Sequence, residues 1–130
     1  MSQNIKSERE FTNEDIVFED MFLVDGNEPF VAHYLEVLPK LTKEIFQSLF
    51  ESKIGPESIE YVDCSLLYNI KTGHIADSME ILIGHVDSED EQSFEYALSD
   101  AEKVLFEAKM REYVCKGKTL NDLCAEYHAQ

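Results

Sequence analysis

The clearest pattern in the chain is an alternation of apolar and polar residues over residues 58–70. A second alternation covers residues 75–86, and the glycine-containing segment 71–74 joins the two. Successive side chains of a β-strand point to opposite faces, so each segment is predicted to be a half-buried strand. Because the connection is short, the two strands are predicted to pair as a β-hairpin.

A second hairpin is predicted nearer the N-terminus. Residues 16–24 and 30–37 are rich in apolar residues, and the sequence Asp-Gly-Asn at 25–27 separates them. Asp-Gly is a frequent hairpin turn because both residues tolerate a positive φ angle. The turn signal therefore favours two strands in this region.

Residues 13–24 also have an alternative interpretation as a helix. Thr12 and Asp15 have the spacing of a capping box in which a shorter acid replaces the usual glutamate. A helix that begins at Thr12 or Asn13 would then continue through Met21. The sequence alone leaves both interpretations open.

Two other helices are predicted from the residues that cap them. Thr42 precedes a segment whose apolar residues recur at three- and four-residue spacing, and Gly55 and Pro56 are expected to end this helix. Thr119 and Asp122 form a capping box before a short helix at the C-terminus.

A longer helix is predicted to begin near Ser88. Ser88 and Glu91 have the spacing of a capping box, and the carboxylates beside them are favourable at a helix N-terminus. The predicted buried stripe of this helix consists of Phe94, Leu98, Ala101, Leu105 and Ala108.

Together these elements predict an α+β fold, with an antiparallel sheet of three to four strands built on the central hairpin, residues 58–86. Two to three helices are expected to pack on one face of the sheet. A length of 130 residues fits one domain, so residues 13–130 are predicted to form a single domain after a mobile N-terminus, residues 1–12. The residues expected in the core include Leu66, Tyr68, Ile81, Phe94, Leu98 and Leu105.

Composition is typical of a globular cytoplasmic protein. Apolar residues make up 44% of the chain, and no apolar run approaches the roughly 20 residues that span a bilayer. The first ten residues are polar and do not resemble a signal peptide. The cysteines Cys64, Cys115 and Cys124 are too few for a disulfide scaffold, so we expect free thiols in a reducing compartment.

A candidate metal site lies near the C-terminus. Cys124 and His128 are four residues apart on a predicted helix, which would place two zinc ligands on one face, and Cys115 lies earlier in the chain. A second closely spaced pair of ligands is missing from the sequence, so we expect that the protein binds no metal.

Sequence patterns of catalysis and nucleotide binding are also missing. The five glycines are isolated, so neither a phosphate-binding loop nor a dinucleotide fingerprint is present. No serine lies in a glycine-framed turn of the kind that exposes a nucleophile. We therefore predict that the protein is not an enzyme and has no cofactor.

Charge distinguishes this chain from an average one, since 27 acidic residues against 11 basic ones leave a formal charge of −16. Two windows, residues 10–36 and 77–102, contain acidic residues and no lysine or arginine. Such windows attract a basic surface from beyond contact distance. The residues predicted to bind a partner lie in these windows: Glu14, Asp15, Glu19, Asp20, Asp87, Glu89, Asp90 and Glu91.

These observations predict a non-enzymatic binding or inhibitor protein that presents carboxylates to a basic partner. A nucleic-acid-handling protein, such as a nuclease or a CRISPR or restriction effector, is the preferred target, because a row of carboxylates can imitate DNA phosphates. Direct binding of nucleic acid or of a membrane is not expected. The alternatives are an immunity protein that neutralises a toxin, an oligomeric accessory protein, and a surface charge that serves solubility alone.

Overall fold

The computed structural model describes residues 3–7, 9–24, 33–50, 59–86 and 89–129, which form an α+β fold. Within these ranges, a mixed and mostly antiparallel sheet of seven strands is combined with three α-helices. The strands are β1 (Gln3–Ile5), β2 (Phe18–Leu23), β3 (Tyr34–Pro39), β4 (Ile59–Asn69), β5 (His74–Ile75), β6 (Ser78–His85) and β7 (Glu91–Ala97). The helices are α1 (Lys43–Phe50), α2 (Asp100–Glu112) and α3 (Leu120–Ala129), and a short 3-10 helix covers Asn13–Asp15.

The order of strands across the sheet is β1-β7-β6-β4-β3-β2, and β5 pairs with the end of β4. β1 lies parallel to β7, and the other pairs are antiparallel. The predicted α+β class is therefore confirmed, but the sheet has more strands than predicted. β1 and β7 are the strands that the sequence pattern does not predict.

The central hairpin forms as the alternation predicts. The antiparallel register of β4 and β6 pairs Cys64 with Ile81 and Val62 with Ile83, so the apolar residues of both strands share one face. The predicted second strand is interrupted after Ile75, where the short strand β5 ends before β6 begins.

β2 and β3 pair with each other, which confirms strands rather than a helix in this region. Their register places Met21 opposite Val37, and both side chains are buried. The capping box of Thr12 and Asp15 also forms, but it begins only the 3-10 helix. Pairing with β3 and burial outweigh the local helix signal beyond that point. The turn predicted at residues 25–27 lies outside the described residues.

The prediction of a helix that begins near Ser88 is wrong. Glu91–Ala97 form β7, which pairs with β6, and Ser88 itself lies outside the described residues. Phe94 and Tyr96 are buried, whereas Glu95 between them is exposed. Only a strand places the two aromatic rings on the same face, so their burial outweighs the capping signal.

α2 begins instead at a second capping box, formed by Ser99 and Glu102. Ser99 Oγ accepts a hydrogen bond from the backbone N–H of Glu102 at 3.1 Å, and the Glu102 carboxylate accepts one from the backbone N–H of Ser99 at 2.9 Å. This exchange satisfies two backbone donors that a helix leaves unpaired at its start. Ser88 with Glu91 and Ser99 with Glu102 both have this spacing, and the structure uses the later pair to begin the helix.

The buried stripe of α2 consequently differs from the predicted one. Phe106 and Met110 face the core, whereas Ala101 and Ala108 are exposed. Leu98 is buried as expected, but it lies between β7 and α2 and not on the helix. Of the other residues expected in the core, Leu66, Tyr68, Ile81 and Phe94 are buried and Leu105 is half-buried.

The first and last helices are capped as predicted. Thr42 Oγ1 accepts a hydrogen bond from the backbone N–H of Ile45 at 3.1 Å, at the start of α1. Thr119 and Asp122 exchange hydrogen bonds of 2.9 and 3.2 Å at the start of α3. The predicted end of the first helix, at residues 55–56, lies outside the described residues.

The helices pack on the face of the sheet that carries the buried strand residues. The ring of Phe50 in α1 lies 5.6 Å from that of Tyr96 in β7, and the ring of Phe106 in α2 lies 6.4 Å from that of Phe18 in β2. α3 contacts β2 and α2. None of the helices in the described ranges is long and apolar enough to cross a membrane.

The N-terminal segment, which the sequence predicts to be mobile, contributes β1 and the buried side chains of Ile5 and Phe11. The ring of Phe11 lies 5.3 Å from that of Phe106, and its backbone N–H donates to the Glu102 carboxylate at 2.9 Å. Burial of the two apolar side chains offsets the entropy of ordering this polar segment.

Candidate binding surface

The face of the sheet opposite the helices carries most of the strand carboxylates. Side chains alternate along each strand, and the register places Ser65, Glu80 and Glu95 in one row across β4, β6 and β7. We call the carboxylates of this surface the acidic sheet face, which consists of Glu19, Glu36, Asp63, Glu80, Glu91 and Glu95.

The described strands contain no lysine or arginine. Basic residues of the described ranges lie in helices and connections, and several form ion pairs there. Lys103 lies 2.9 Å from Asp77, and Lys118 lies 2.7 Å from Glu126. No lysine or arginine of the described strands therefore neutralises the negative potential of the acidic sheet face.

Glu80 and Glu95 occupy directly opposed positions on β6 and β7, and both are exposed. Like charges at such positions destabilise an antiparallel pair of strands. Ser78 Oγ donates a hydrogen bond to Glu95 Oε1 at 2.8 Å, which holds one of the two carboxylates in place. The stability of the sheet therefore does not explain this pair of glutamates.

Glu36 of β3 is oriented by Ser65 of β4. Ser65 Oγ donates a hydrogen bond to Glu36 Oε1 at 2.9 Å, and both residues are half-buried. Two shallow depressions, of about 360 and 390 Å³, meet at this hydrogen bond. Glu36, Ser65 and Glu80 line both depressions.

Three half-buried leucines lie among these carboxylates. Leu38 and Leu82 line the first depression, and Leu67 lines the second. The side chains of these leucines point away from the core. Their neighbours along the strands, such as Val37 and Leu66, are buried on the opposite face of the sheet. The surface therefore combines negative charge with accessible apolar groups.

Tyr61 covers Gly84 at one end of the acidic sheet face. The register pairs the two residues, and a Cβ atom at Gly84 would clash with the ring of Tyr61. The Tyr61 hydroxyl donates a hydrogen bond to the Glu91 carboxylate. This hydrogen bond, with the loss of hydration and the negative charge of Glu91, raises the pKa of Tyr61 to about 12.

The first predicted site residues, Glu14 and Asp15, differ in accessibility. Glu14 is exposed, whereas Asp15 is buried. Arg9 donates to the Asp15 carboxylate with distances of 2.7 and 3.2 Å. Hydrogen bonds from Arg9 and then from Thr12 lower the pKa of Asp15 to about 2. The Asp15 carboxylate is therefore bound by Arg9 and Thr12 and is not available to a partner.

Glu19 and Asp20 diverge at a β-bulge in β2. Glu19 is exposed and lines the first depression. Asp20 accepts a hydrogen bond from Cys115 Sγ at 3.1 Å and lies 3.7 Å from Nζ of Lys116. The hydrogen bond from Cys115 contributes most to lowering the pKa of Asp20, and Lys116 adds to the effect. Tertiary structure thus supplies a base that the sequence window does not contain.

The second predicted window is divided between a connection and the acidic sheet face. Asp87 lies outside the described residues. Glu89 and Asp90 are exposed in the connection before β7, where they line a depression with Tyr61. Glu91 belongs to the acidic sheet face. Of the predicted site residues that the structure describes, Glu19 and Glu91 therefore lie on this face.

The remaining carboxylates of the acidic sheet face were not predicted as site residues: Glu36, Asp63, Glu80 and Glu95. Each occupies the polar phase of an alternating strand, as Glu80 does between the buried residues Met79 and Ile81. The alternation of buried and polar residues along these strands could have identified the four carboxylates as solvent-facing. Their proximity depends on the order of strands in the sheet, which one sequence does not reveal.

The candidate metal ligands do not assemble into a site. Cys115 is buried and donates to Asp20, Cys124 is half-buried, and His128 is exposed. Burial raises the pKa of the Cys64 and Cys124 thiols, which disfavours the thiolate form that binds metals. In the part of the chain that the structure describes, no group of three or more Cys, His, Asp or Glu side chains could hold a metal ion.

The buried carboxylate of Glu102 joins three parts of the fold. It accepts hydrogen bonds from the backbone N–H groups of Phe11 and Ser99, each at 2.9 Å, and from the Tyr96 hydroxyl at 2.7 Å. Burial raises the pKa of Tyr96, which keeps its hydroxyl protonated as a donor. Glu102 therefore fastens the N-terminal segment to β7 and α2, and its oxygens are engaged by the protein.

Comparison of the chain with protein-family models, with curated proteins and with solved structures finds no match. Function is therefore inferred from the geometry and charge of the described residues.

Proposed function

We propose that this protein is a non-enzymatic binding or inhibitor protein whose acidic sheet face binds a basic surface of a nucleic-acid-handling protein, such as a nuclease or a CRISPR or restriction effector. The observation that carries the proposal is the segregation of charge, because the described strands contain acidic residues and no lysine or arginine. Such a face attracts a basic surface over a distance and accelerates its association.

The sheet spaces these carboxylates regularly. Neighbouring strands lie about 4.8 Å apart, and alternate residues lie about 6.7 Å apart along a strand. Glu95 is directly opposite Glu80, and Asp63 lies diagonally from Glu80 on β4. B-DNA carries one negative charge per about 1.7 Å of its axis. A basic surface adapted to closely spaced phosphates would therefore meet several carboxylates at once on this face.

Two serine hydroxyls hold carboxylates in place before a partner arrives. Ser65 donates to Glu36 at 2.9 Å, and Ser78 donates to Glu95 at 2.8 Å. Side chains that are already ordered lose less conformational entropy on binding. Together with the unfavourable pairing of Glu80 and Glu95, this order supports a binding role for the acidic sheet face.

The proposal can be tested with two variants of equal net charge. The double variant Glu36→Lys and Glu80→Lys reverses charge on the acidic sheet face. The control, Glu14→Lys and Glu112→Lys, reverses exposed charges elsewhere. Immobilised wild-type protein is used to capture a partner from lysate, and association and dissociation rates are then measured with the purified partner.

We expect the face variant to slow association about tenfold or more, while the control changes it much less. Binding to the wild type should weaken with salt, because the Debye length falls from about 10 Å at 0.1 M to about 3 Å at 1 M. A partner whose affinity is insensitive to salt and to the face variant would contradict the proposal, and the acidic sheet face would then serve solubility.

A further inference from the structure

The two depressions of the acidic sheet face adjoin each other and form one trough. The first extends from Glu19 to Glu80, and the second extends from Glu36 to Glu95. Because they share Ser65 at their boundary, the trough crosses β2, β3, β4, β6 and β7. Four spacings between neighbouring strands make it about 19 Å long.

The trough combines apolar and charged side chains. Ser65, a small residue, lies near its centre, close to the half-buried residues Leu38, Leu67 and Leu82. Carboxylates lie among these leucines, since Glu80 is directly opposite Ser65 and Glu36 accepts the Ser65 hydrogen bond. A ligand that carried only positive charge would leave the leucines in contact with water. The occupant that complements both kinds of side chain has apolar side chains flanked by cationic ones.

The backbone of the occupant must also satisfy its own hydrogen bonds. The middle of a sheet face presents side chains, because the backbone N–H and C=O groups there are used between strands. An extended segment lying on this face would leave its backbone groups without partners in the sheet. An α-helix satisfies them internally and presents a row of side chains on one side.

Building on the proposed function, we infer that the trough binds an amphipathic basic α-helix of the partner protein. Its apolar side chains lie against the leucines, and its arginines and lysines lie against the carboxylates of the trough. At 1.5 Å per residue, a helix of about 13 residues spans the trough. Many DNA-binding proteins insert a basic helix of this kind into the major groove, which is about 12 Å wide. A DNA-binding helix held in the trough could not reach DNA at the same time.

Two fluorescent peptides of about 14 residues test this inference. Both carry the same number of arginines, and they differ on one helical face, which has leucines in the first peptide and glutamines in the second. Leucine and glutamine have similar helix propensities, so the comparison isolates apolar contact. Binding to the full chain is measured by fluorescence anisotropy at low ionic strength.

The leucine peptide should bind about tenfold more tightly than the glutamine peptide, which corresponds to the burial of roughly one leucine side chain. The variant Ser65→Phe fills the centre of the trough and should remove this advantage. Ala108→Phe adds the same ring at an exposed residue of α2, on the opposite side of the sheet, and should preserve it. If Ser65→Phe does not fold, Leu82→Gln provides the equivalent test without adding bulk.

The outcomes separate this inference from the proposed function. Equal affinities of the two peptides, unchanged by Ser65→Phe or Leu82→Gln, would overturn the helix-binding trough and leave an acidic face that binds through charge alone. Failure of both peptides to bind at low ionic strength would contradict the proposed function itself and the inference with it.

Discussion

Replacing Asp15 by asparagine should remove an ion pair that fastens the segment before β2. Arg9 contacts both carboxylate oxygens of Asp15, at 2.7 and 3.2 Å, and also donates to Ser48 Oγ in α1 at 2.8 Å. The backbone N–H of Thr12 donates to the same carboxylate at 2.7 Å. The substitution removes the negative charge that these donors share and leaves the size of the side chain almost unchanged.

The expected magnitude follows from the pKa of Asp15, which is lowered from 3.8 to about 2 in the folded protein. One pKa unit corresponds to about 1.4 kcal/mol, so the charged form contributes up to about 2.5 kcal/mol to the free energy of unfolding at pH 7. The Arg9 side chain is 38% exposed, and water therefore screens part of the interaction. We expect Asp15→Asn to lower the free energy of unfolding by about 1–2 kcal/mol.

The direction of the pKa shift also determines how the stability contribution of Asp15 depends on pH. The folded-state pKa lies below the unfolded-state value, so the contribution is complete above about pH 5 and is lost as the pH falls towards 2. At pH 3 roughly half of it remains. The difference between wild type and Asp15→Asn should narrow accordingly.

Urea unfolding followed by circular dichroism at pH 7, 5 and 3 measures this difference. The neighbouring residue Glu14 is exposed, and Glu14→Gln serves as the control, with an expected change within about 0.5 kcal/mol. A loss for Asp15→Asn that is equal at pH 7 and pH 3, or no loss at pH 7, would refute the argument from the Arg9 ion pair.

Three further substitutions test other contacts. Gly84→Ala should displace the Tyr61 ring from the sheet and break its hydrogen bond, so that the Tyr61 pKa moves from about 12 towards 10 in an NMR titration that resolves this tyrosine from the other five. Phe106→Ala should lower the free energy of unfolding by about 3–5 kcal/mol in urea, because the ring is fully buried. Ser99→Ala should cost about 1 kcal/mol in the same assay through loss of the N-cap, and a value near zero would contradict the assigned start of α2.

Local sequence patterns predicted much of the fold. The alternation of β4 and β6 identified their inward faces, because one face of the sheet is buried and the other is not. Thr42 and Thr119 marked the starts of α1 and α3, since a side-chain oxygen next to a helix start satisfies backbone donors wherever the rest of the chain lies. These features depend on residues within one turn or one strand of each other.

The start of α2 shows where local patterns fail. Ser88 with Glu91 and Ser99 with Glu102 have the same capping-box spacing, so spacing alone cannot choose between them. The choice depends on β7. This strand pairs with β6, and its buried Tyr96 ring packs against Phe11 of the N-terminal segment. A helical interpretation of Phe94 and Leu98 overlooked Tyr96, whose burial completes an alternation.

The candidate surface depended on tertiary structure still more. Sequence windows without bases predicted a negative field, but Arg9 reaches Asp15 and Lys116 reaches Asp20 through the fold. Conversely, Glu36, Asp63 and Glu80 are separated in the sequence and share one face because their strands are neighbours in the sheet. Charge count and strand phase are properties of the sequence by itself. Which charges are neutralised and which lie together depends on long-range strand pairing, and only the folded chain determines that pairing.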